Sequence, residues 1–360
     1  MVLLTGLSLT HFKNYDLSQF SFNERIVGIC GLNGKGKTNL LDAIFYCCFT
    51  KSYFTSSDNQ NIGSGKHGFR IKGNFTGNDG AFEVTCIFRN NKKEFSLNQV
   101  PYGKLSDHIG LLPTVIIAPD DVEIITGNAD VRRKYLDTLL CQVDKSYLKN
   151  LMAYNKLLLQ RNSQLKYMAE SGNNDATLLQ VMEEQMIAPA AYVSEVRQKF
   201  MRIISEKSAA FYEMISGHKE VVNVLYESHL TERNMQTIFA DNRERDRLAQ
   251  RTTSGIHKDD IILELNKKPF KQVASQGQRK TLLFALKLAE FQVLKEIKGF
   301  TPLLLLDDIF EKLDQERMDA LMDWVCNKND GQVFITDTHY QRIKDVFEKI
   351  NVSSQIIQLD

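Results

Sequence analysis

Apolar positions along this chain fall into distinct regimes. From Leu3 to Phe88 they come in short runs that alternate or cluster as strands do, at 3–12, 25–30, 68–75 and 82–88. Between these runs Leu40, Leu41, Ile44 and Phe45 recur at helical spacing, which predicts a helix over 38–49. Glycine and asparagine clusters at 63–65 and 77–80 punctuate the strands. The character changes after Pro119. From 130 to about 215 the only proline is Pro189, and Leu136, Leu139, Leu140 and Val143 repeat at helical steps, as do Leu148, Leu151, Met152, Asn155 and Leu158. A polar break at 171–174 predicts two long helices in an antiparallel hairpin. Its heptad pattern is too short and irregular for an extended coiled coil. Strand character returns at 220–226 and 261–265, a helix follows Ser275, and strands are expected at 303–306 and 332–336.

Strand–helix alternation at both ends predicts one α/β core assembled from the two termini, with a helical lobe inserted. The expected division is 1–120 for the first part of the core, 121–218 for the lobe and 219–360 for the rest.

Composition narrows the class. Across 360 residues, 43% hydrophobic and 25% charged content supplies an ordinary globular core. A net charge of +1 gives no global attraction to nucleic acid, so such a site depends on local segregation of charge. Cys30, Cys47, Cys48, Cys86, Cys141 and Cys326 form no CxxC and sit mostly in apolar surroundings, the usage of a reducing compartment. The histidines show no ligand spacing. The first residues lack a basic stretch, an apolar run and a cleavage site, and later apolar runs are too short to span a bilayer. The expectation is a cytoplasmic protein without membrane association.

Gly31-Leu32-Asn33-Gly34-Lys35-Gly36-Lys37-Thr38 matches GxxxxGK[ST] at every fixed position, with a strand before it and a helix after it. Such a loop turns successive backbone N–H groups toward a phosphate at a helix N-terminus. Asn33, Gly34, Gly36, Lys37, Thr38 and Asn39 are the expected ATP contacts, with Lys37 on the β- and γ-phosphates and the Thr38 hydroxyl on Mg²⁺. Leu303-Leu304-Leu305-Leu306-Asp307-Asp308 reads as a buried parallel strand ending in two carboxylates. Alone it fits a solvated turn equally well. Downstream of a phosphate loop it reads as a Walker B element, with Asp307 supporting Mg²⁺ and Asp308 polarising the attacking water. An aspartate is one methylene shorter than a glutamate, so slow hydrolysis suited to a switch is expected.

Ser275-Gln276-Gly277-Gln278 opens a Leu- and Ala-rich helical stretch. Taken alone it is a plain N-cap, whose hydroxyl and free backbone N–H groups can face an anion. In order, however, the phosphate loop, Ser275–Gln278, the acidic strand and Glu311-Lys312-Leu313-Asp314 are similar to the layout of ABC ATPases. That resemblance implies an ABC-type ATPase head: a P-loop sheet core with an antiparallel β lobe, plus the inserted α-helical lobe. It also implies that Ser275, Gln276, Gly277 and Gln278 contact ATP held by a second copy, so that ATP drives homodimerisation.

The chain resembles the bacterial RecF family over nearly its whole length. The carrying residues are Leu9-Thr-His-Phe-Lys-Asn-Tyr15, Lys51-Ser52, Pro119-Asp-Asp-Val-Glu-Ile-Ile-Thr-Gly127, Arg132-Arg133-Lys134-Tyr135-Leu136-Asp137, Tyr154-Asn155-Lys156, Gln160-Arg161-Asn162 and Gly255-Ile256-His257-Lys258-Asp259-Asp260. Ala129 and Ile256 depart from it, each standing where the family has proline. The resemblance implies a recombination mediator with weak, DNA-stimulated ATPase activity. It would bind duplex and gapped DNA with little sequence preference and act with RecR, and through it RecO and RecA. Two other classes remain in view. A structural head of the SMC type needs a longer coiled coil than 130–215 supplies, and the nucleotide-binding subunit of a transporter needs a membrane partner.

Lys51, Arg70, Lys72, Lys92, Lys93, Arg132 and Arg133 are candidate DNA-phosphate contacts, each of which reads equally as a solvated charge. Arg243, Arg245, Arg247 and Arg251 alternate with Glu244 and Asp246, which fits an exposed helix with internal ion pairs at least as well as a DNA contact. Arg132 and Arg133 have a second reading, as partners of Asp120 and Asp121. Asp337 falls nearest the position of a γ-phosphate sensor, with His339 beyond it. Asp120 or Asp121, and then Gln60, are the candidates for the residue that links the lobe to Mg²⁺. His257 reads as structural or adjacent to DNA.

Overall fold

The computed structural model describes residues 1–77, 80–172, 176–217, 220–310 and 313–359. The chain opens with β1 (Leu3–Phe12), β2 (Tyr15–Ser21) and β3 (Ile26–Cys30), then α1 (Lys37–Phe49), β4 (Gly68–Gly77), β5 (Gly80–Arg89), β6 (Lys92–Leu97), β7 (Val100–Pro101) and β8 (Thr114–Ile117). Helices α2 (Glu123–Thr126), α3 (Ala129–Val143), α4 (Lys145–Ser171) and α5 (Thr177–Ser216) follow. Next come β9 (Val222–Glu227), α6 (Met235–Ala249), β10 (Asp260–Leu265), β11 (Lys268–Pro269), α7 (Phe270–Val273) and α8 (Gln276–Lys298). The chain ends with β12 (Leu303–Leu306), α9 (Gln315–Asp323), β13 (Val333–Asp337), α10 (Tyr340–Ile350) and β14 (Ser354–Gln358).

These elements form two compact units. The first comprises Met1–Val122, Ala210–Lys219 and Ser275–Asp360, and it holds two sheets. One is antiparallel, in the order β2-β1-β4-β5-β6-β7, and the other parallel, in the order β14-β3-β13-β12-β8. The parallel strands β3, β8, β12 and β13 are buried at every position, which is why they read as continuous apolar runs. Helix α1 lies against both sheets and is buried nearly all round, with Leu40, Leu41, Ala43 and Ile44 in the same cluster as Leu7, Ile71 and Leu305. Because β13 separates β3 from β12, the loops after β3 and β12 open on the same carboxyl edge of the sheet, where ligands of such sheets bind.

The second unit comprises Glu123–Ala209 and Glu220–Ala274. Helices α4 and α5 run antiparallel, as the ion pair Arg161–Glu183 and the cluster Leu165, Met168, Leu179 show. Asn173 and Asn174 of the expected polar break lie outside the described residues. The division differs from the sequence expectation in two main respects: Ala210–Lys219 groups with the first unit and not with the lobe, and Glu220–Ala274 groups with the helices and not with the C-terminal core. The cause of the second is visible in the side chains. Arg132 on α3 makes a two-toothed pair with Asp260 at 2.7 and 2.9 Å, and Arg197 on α5 reaches Asp259 and the Ile256 carbonyl, both at 2.7 Å. These bonds tie the antiparallel pair β9–β10 to the helices through the start of β10. Among the described residues, no helix is long and apolar enough to cross a membrane.

Candidate nucleotide site

The phosphate loop leaves β3 and enters α1 through two glycines with left-handed backbone, Gly34 at φ 85° and Gly36 at φ 101°. Gly36 is also sterically required. A Cβ there would stand 2.5 Å from Asn14 Nδ2 and 2.9 Å from the Tyr15 hydroxyl. Asn14 lies in the turn between β1 and β2 and Tyr15 opens β2, and together they brace the loop. Asn14 donates to the Lys35 carbonyl (3.3 Å), Tyr15 donates to the Gly36 carbonyl (3.0 Å), and Asn39 donates to Asn14 Oδ1 (2.7 Å). Sequence reasoning missed Asn14 and Tyr15 as site residues. The available signal was an Asn-Tyr pair at a hairpin turn, read only as part of a longer resemblance.

Lys37 is buried, and its ammonium curls back over the loop to the Gly31 carbonyl at 2.6 Å and the Leu32 carbonyl at 3.2 Å. Thr38 donates to both oxygens of Asp307, at 3.1 and 2.9 Å. Thr336, at the end of the intervening strand β13, donates to Asp307 Oδ1 (2.8 Å) and accepts the Asp308 N–H (2.9 Å). Burial pushes the Asp307 carboxyl above its ordinary value, and hydrogen bonds from Thr336 and Thr38 oppose that shift. A buried carboxylate held by two hydroxyls beside a glycine loop suits Mg²⁺, which takes one or two protein oxygens and otherwise keeps water and phosphate oxygens. Thr38 and Asp307 are the residues that would hold it. Asp308 sits at φ 51°, a strained setting for an aspartate that turns the chain sharply beyond the sheet edge.

Ser275 caps α8 in a closed box: its hydroxyl accepts the Gln278 N–H at 3.2 Å, and Gln278 Oε1 accepts the Ser275 N–H at 2.6 Å. Of the backbone N–H groups expected to be free at this helix start, the cap uses those of Ser275 and Gln278 itself. The hydroxyl proton of Ser275 and the first-turn N–H groups of Gln276 and Gly277 remain for a ligand. The bare Cα of Gly277 faces Arg317, whose Nη1 lies 2.8 Å from where a Cβ would stand. Glu311 and Lys312 lie outside the described residues, and Asp314 caps α9 by accepting the Arg317 N–H.

Other expectations sort by burial. Asp337 is fully buried at the end of β13 and accepts the His339 N–H at 2.6 Å, whereas the His339 side chain is 64% exposed. Asp121 is buried and held by the Ala118 N–H (2.9 Å) and by the Tyr53 hydroxyl, while Asp120 and Gln60 are exposed. Lys72 pairs with Glu83 at 2.6 Å, and Lys93 pairs with Asp58 at 2.8 Å and the Thr50 carbonyl at 2.9 Å. Arg132 pairs with Asp260 and Arg133 with Asp130, not with Asp120 and Asp121. These four cations are engaged within the fold. Lys51, Arg70 and Lys92 are exposed. Arg243, Arg245, Arg247 and Arg251 are exposed in and just beyond α6, where Arg247 lies 3.6 Å from Glu244. His257 is half-buried between Tyr154 (2.8 Å) and the Thr252 carbonyl (3.1 Å), and burial pushes its pKa down to about 4.

Residues 3–358 match the family described as RecF/RecN/SMC N terminal domain. The chain is 38% identical to the DNA replication and repair protein RecF of Flavobacterium johnsoniae over 357 residues, 99% of each chain. It is 40% identical to RecF of Phocaeicola vulgatus over 362 aligned residues, covering 100% of this chain and 97% of the other. Among solved structures, it is similar to the recombination mediator protein RecF-ATPrS in the RecFOR pathway, at TM-score 0.88 and 27% identity over 100% of this chain and 96% of that one. The corresponding RecF-ATP structure matches at TM-score 0.86 and 29% identity, over 94% of this chain and 92% of that one. An Smc head domain of Pyrococcus furiosus shares the ATPase-head fold alone, at TM-score 0.58 and 16% identity over 99% of this chain and 93% of that one.

Proposed function

The chain belongs to the RecF family of DNA replication and repair proteins, and from that premise we propose that it is an ATP-switched recombination mediator that pairs with a second copy on duplex DNA beside single-strand gaps. The observation that carries the reading is the hydrogen-bonded set Thr38–Asp307–Thr336, which joins the phosphate loop to the acidic strand across β13. That set is a nucleotide-binding arrangement in its own right. The relatives supply the context, since their structures are described as RecF-ATP and RecF-ATPrS in the RecFOR pathway.

The residues divide the work as follows. Lys37 exchanges its two carbonyl partners for the β- and γ-phosphates, and Asn33, Gly34, Gly36 and Asn39 line the same loop. Thr38 and Asp307 would hold Mg²⁺, which when bound would supply positive charge against the triphosphate. Asp308 orients a water and takes its proton as the water oxygen bonds to the γ-phosphorus, while the bond to the β-γ bridging oxygen breaks to release ADP and phosphate. Ser275, Gln276, Gly277 and Gln278 of the second copy complete the site. Hydrolysis is weak and stimulated by DNA, and it ends the paired state. DNA is held through its backbone, so affinity falls steeply with salt and varies little with sequence. RecR, and through it RecO and RecA, are the partners in this reading, and the setting is the cytoplasm.

Sedimentation with ATP, with and without gapped duplex DNA, tests it. ATP is expected to produce a dimer and gapped duplex to strengthen pairing. Pairing that is indifferent to DNA would leave an ATPase head without the mediator role.

A further inference from the structure

Left-handed backbone at residues other than glycine falls mostly at hairpin turns, as at Asn90 and Asn91, or at helix C-caps, as at Gln250 and Asn351. There the bonds that close the turn or the cap offset the crowding of the Cβ atom. Asp308, at φ 51°, stands at neither. It comes one residue after Asp307 at the end of the parallel strand β12, so something else must hold its turn.

The holding bond comes from the neighbouring strand. Leu304 N–H donates to the Gln332 carbonyl at 3.0 Å, as a parallel ladder between β12 and β13 requires. The same two-residue step brings the Asp308 N–H to Thr336, where it donates to the side-chain hydroxyl at 2.9 Å. On the other side of β12, the Asp307 N–H donates to the Ile117 carbonyl at 2.8 Å. The ladder toward β13 thus passes from main chain to side chain at the residue where β12 leaves the sheet. The Thr336 hydroxyl gives its one proton to Asp307 Oδ1 at 2.8 Å, which leaves its oxygen to accept from Asp308. One atom therefore fixes the carboxylate of the first aspartate and the backbone of the second. Thr336 is fully buried, so bulk water does not replace either bond when it is lost.

We propose that Thr336 is a positioning residue for ATP hydrolysis. Through a single hydroxyl it keeps Asp307 beside Thr38 and locks Asp308 in the left-handed turn from which Asp308 orients water. The proposal rests on the reading of Asp308 given above, and its test separates the two.

The test uses the full chain. Thr336→Val keeps the shape of the side chain and removes both bonds, whereas Thr336→Ser keeps the hydroxyl. Without nucleotide, amide hydrogen exchange over residues 303–310, read by mass spectrometry, is expected to be about fivefold or more faster in Thr336→Val than in the parent. In Thr336→Ser it stays close to the parent's. With ATP and Mg²⁺, Thr336→Val lowers turnover roughly thirtyfold, while a fluorescent ATP analogue added without Mg²⁺ binds within about threefold of the parent. Thr336→Ser recovers most of the turnover. Added to Asp308→Asn, Thr336→Val costs less than about threefold more, because the two residues act as one unit. Thr336→Ala carries the same comparisons if Thr336→Val does not fold. Parent-like exchange in Thr336→Val, equal loss of turnover in Thr336→Val and Thr336→Ser, or fully additive losses with Asp308→Asn overturns the proposal. Parent-like turnover in Asp308→Asn overturns the reading of Asp308 instead, and the exchange result then still measures the hold of Thr336 on the turn.

Discussion

Two residues at the carboxyl edge of the parallel sheet divide their duties by environment. Asp307 is 4% exposed and bonded to two hydroxyls, so it is placed to hold charge and not to move protons. Asp308 follows it with a left-handed backbone and is half-buried, and in the proposed mechanism it is the residue that orients water. Asp308→Asn is therefore expected to lower ATP turnover by about a hundredfold or more while leaving nucleotide affinity nearly unchanged. Steady-state hydrolysis alongside equilibrium binding of a fluorescent analogue checks this, and equal losses in both would remove the base from Asp308. Asn14 makes a different case. It holds the loop by its Lys35 carbonyl and takes a hydrogen bond from Asn39. Asn14→Ala is expected to weaken ATP binding several-fold, of the order of 1 kcal/mol for lost hydrogen bonds, with little change in thermal unfolding. The phosphate-loop residues were legible in sequence because their spacing is itself the mechanism. Asn14 was not, since its importance comes from a β1–β2 turn folding onto a loop some twenty residues further on.

At the scale of elements, the parallel strands declared themselves as unbroken apolar runs, and Leu303–Leu306 is buried at all four positions. The strands β9 and β10 were legible as strands but not in their allegiance, because buried arginines on distant helices decide it. Arg197 is 2% exposed and bonds Asp137, Tyr147, Asp259 and the Ile256 carbonyl. Burial raises the Asp259 carboxyl, and the Arg197 charge beside it works against that shift. Arg197→Ala strands two carboxylates and is expected to cost about 3–5 kcal/mol, read as a lower urea midpoint. A midpoint unchanged from the parent would mean that the antiparallel pair β9–β10 is held by apolar packing alone. The signature helix teaches a related lesson. The Ser275 cap was readable, but the reciprocal bond from Gln278 takes up N–H groups that the sequence left open for an anion. Basic residues were the least legible. Lys72, Lys93, Arg132 and Arg133 look like surface charge in a string of letters, and each has an acidic partner set by the fold.

For the whole molecule, the account turns on one claim: the triphosphate bound by one copy is closed over by Ser275 and Gly277 of another. The bonds of Lys37 and Thr38 run to the loop's own carbonyls and to Asp307, while those of Ser275 close on its own cap. In the proposed reading, dimerisation on ATP and release on hydrolysis follow from dividing the site between two chains. A crystal structure of the protein loaded with ATP and Mg²⁺, its base Asp308 disabled as asparagine, tests this most directly. The account predicts two copies head to tail, with Ser275 of each against the γ-phosphate held by Lys37 and Thr38 of the other. A single chain sealing its own triphosphate with its own Ser275 would contradict it.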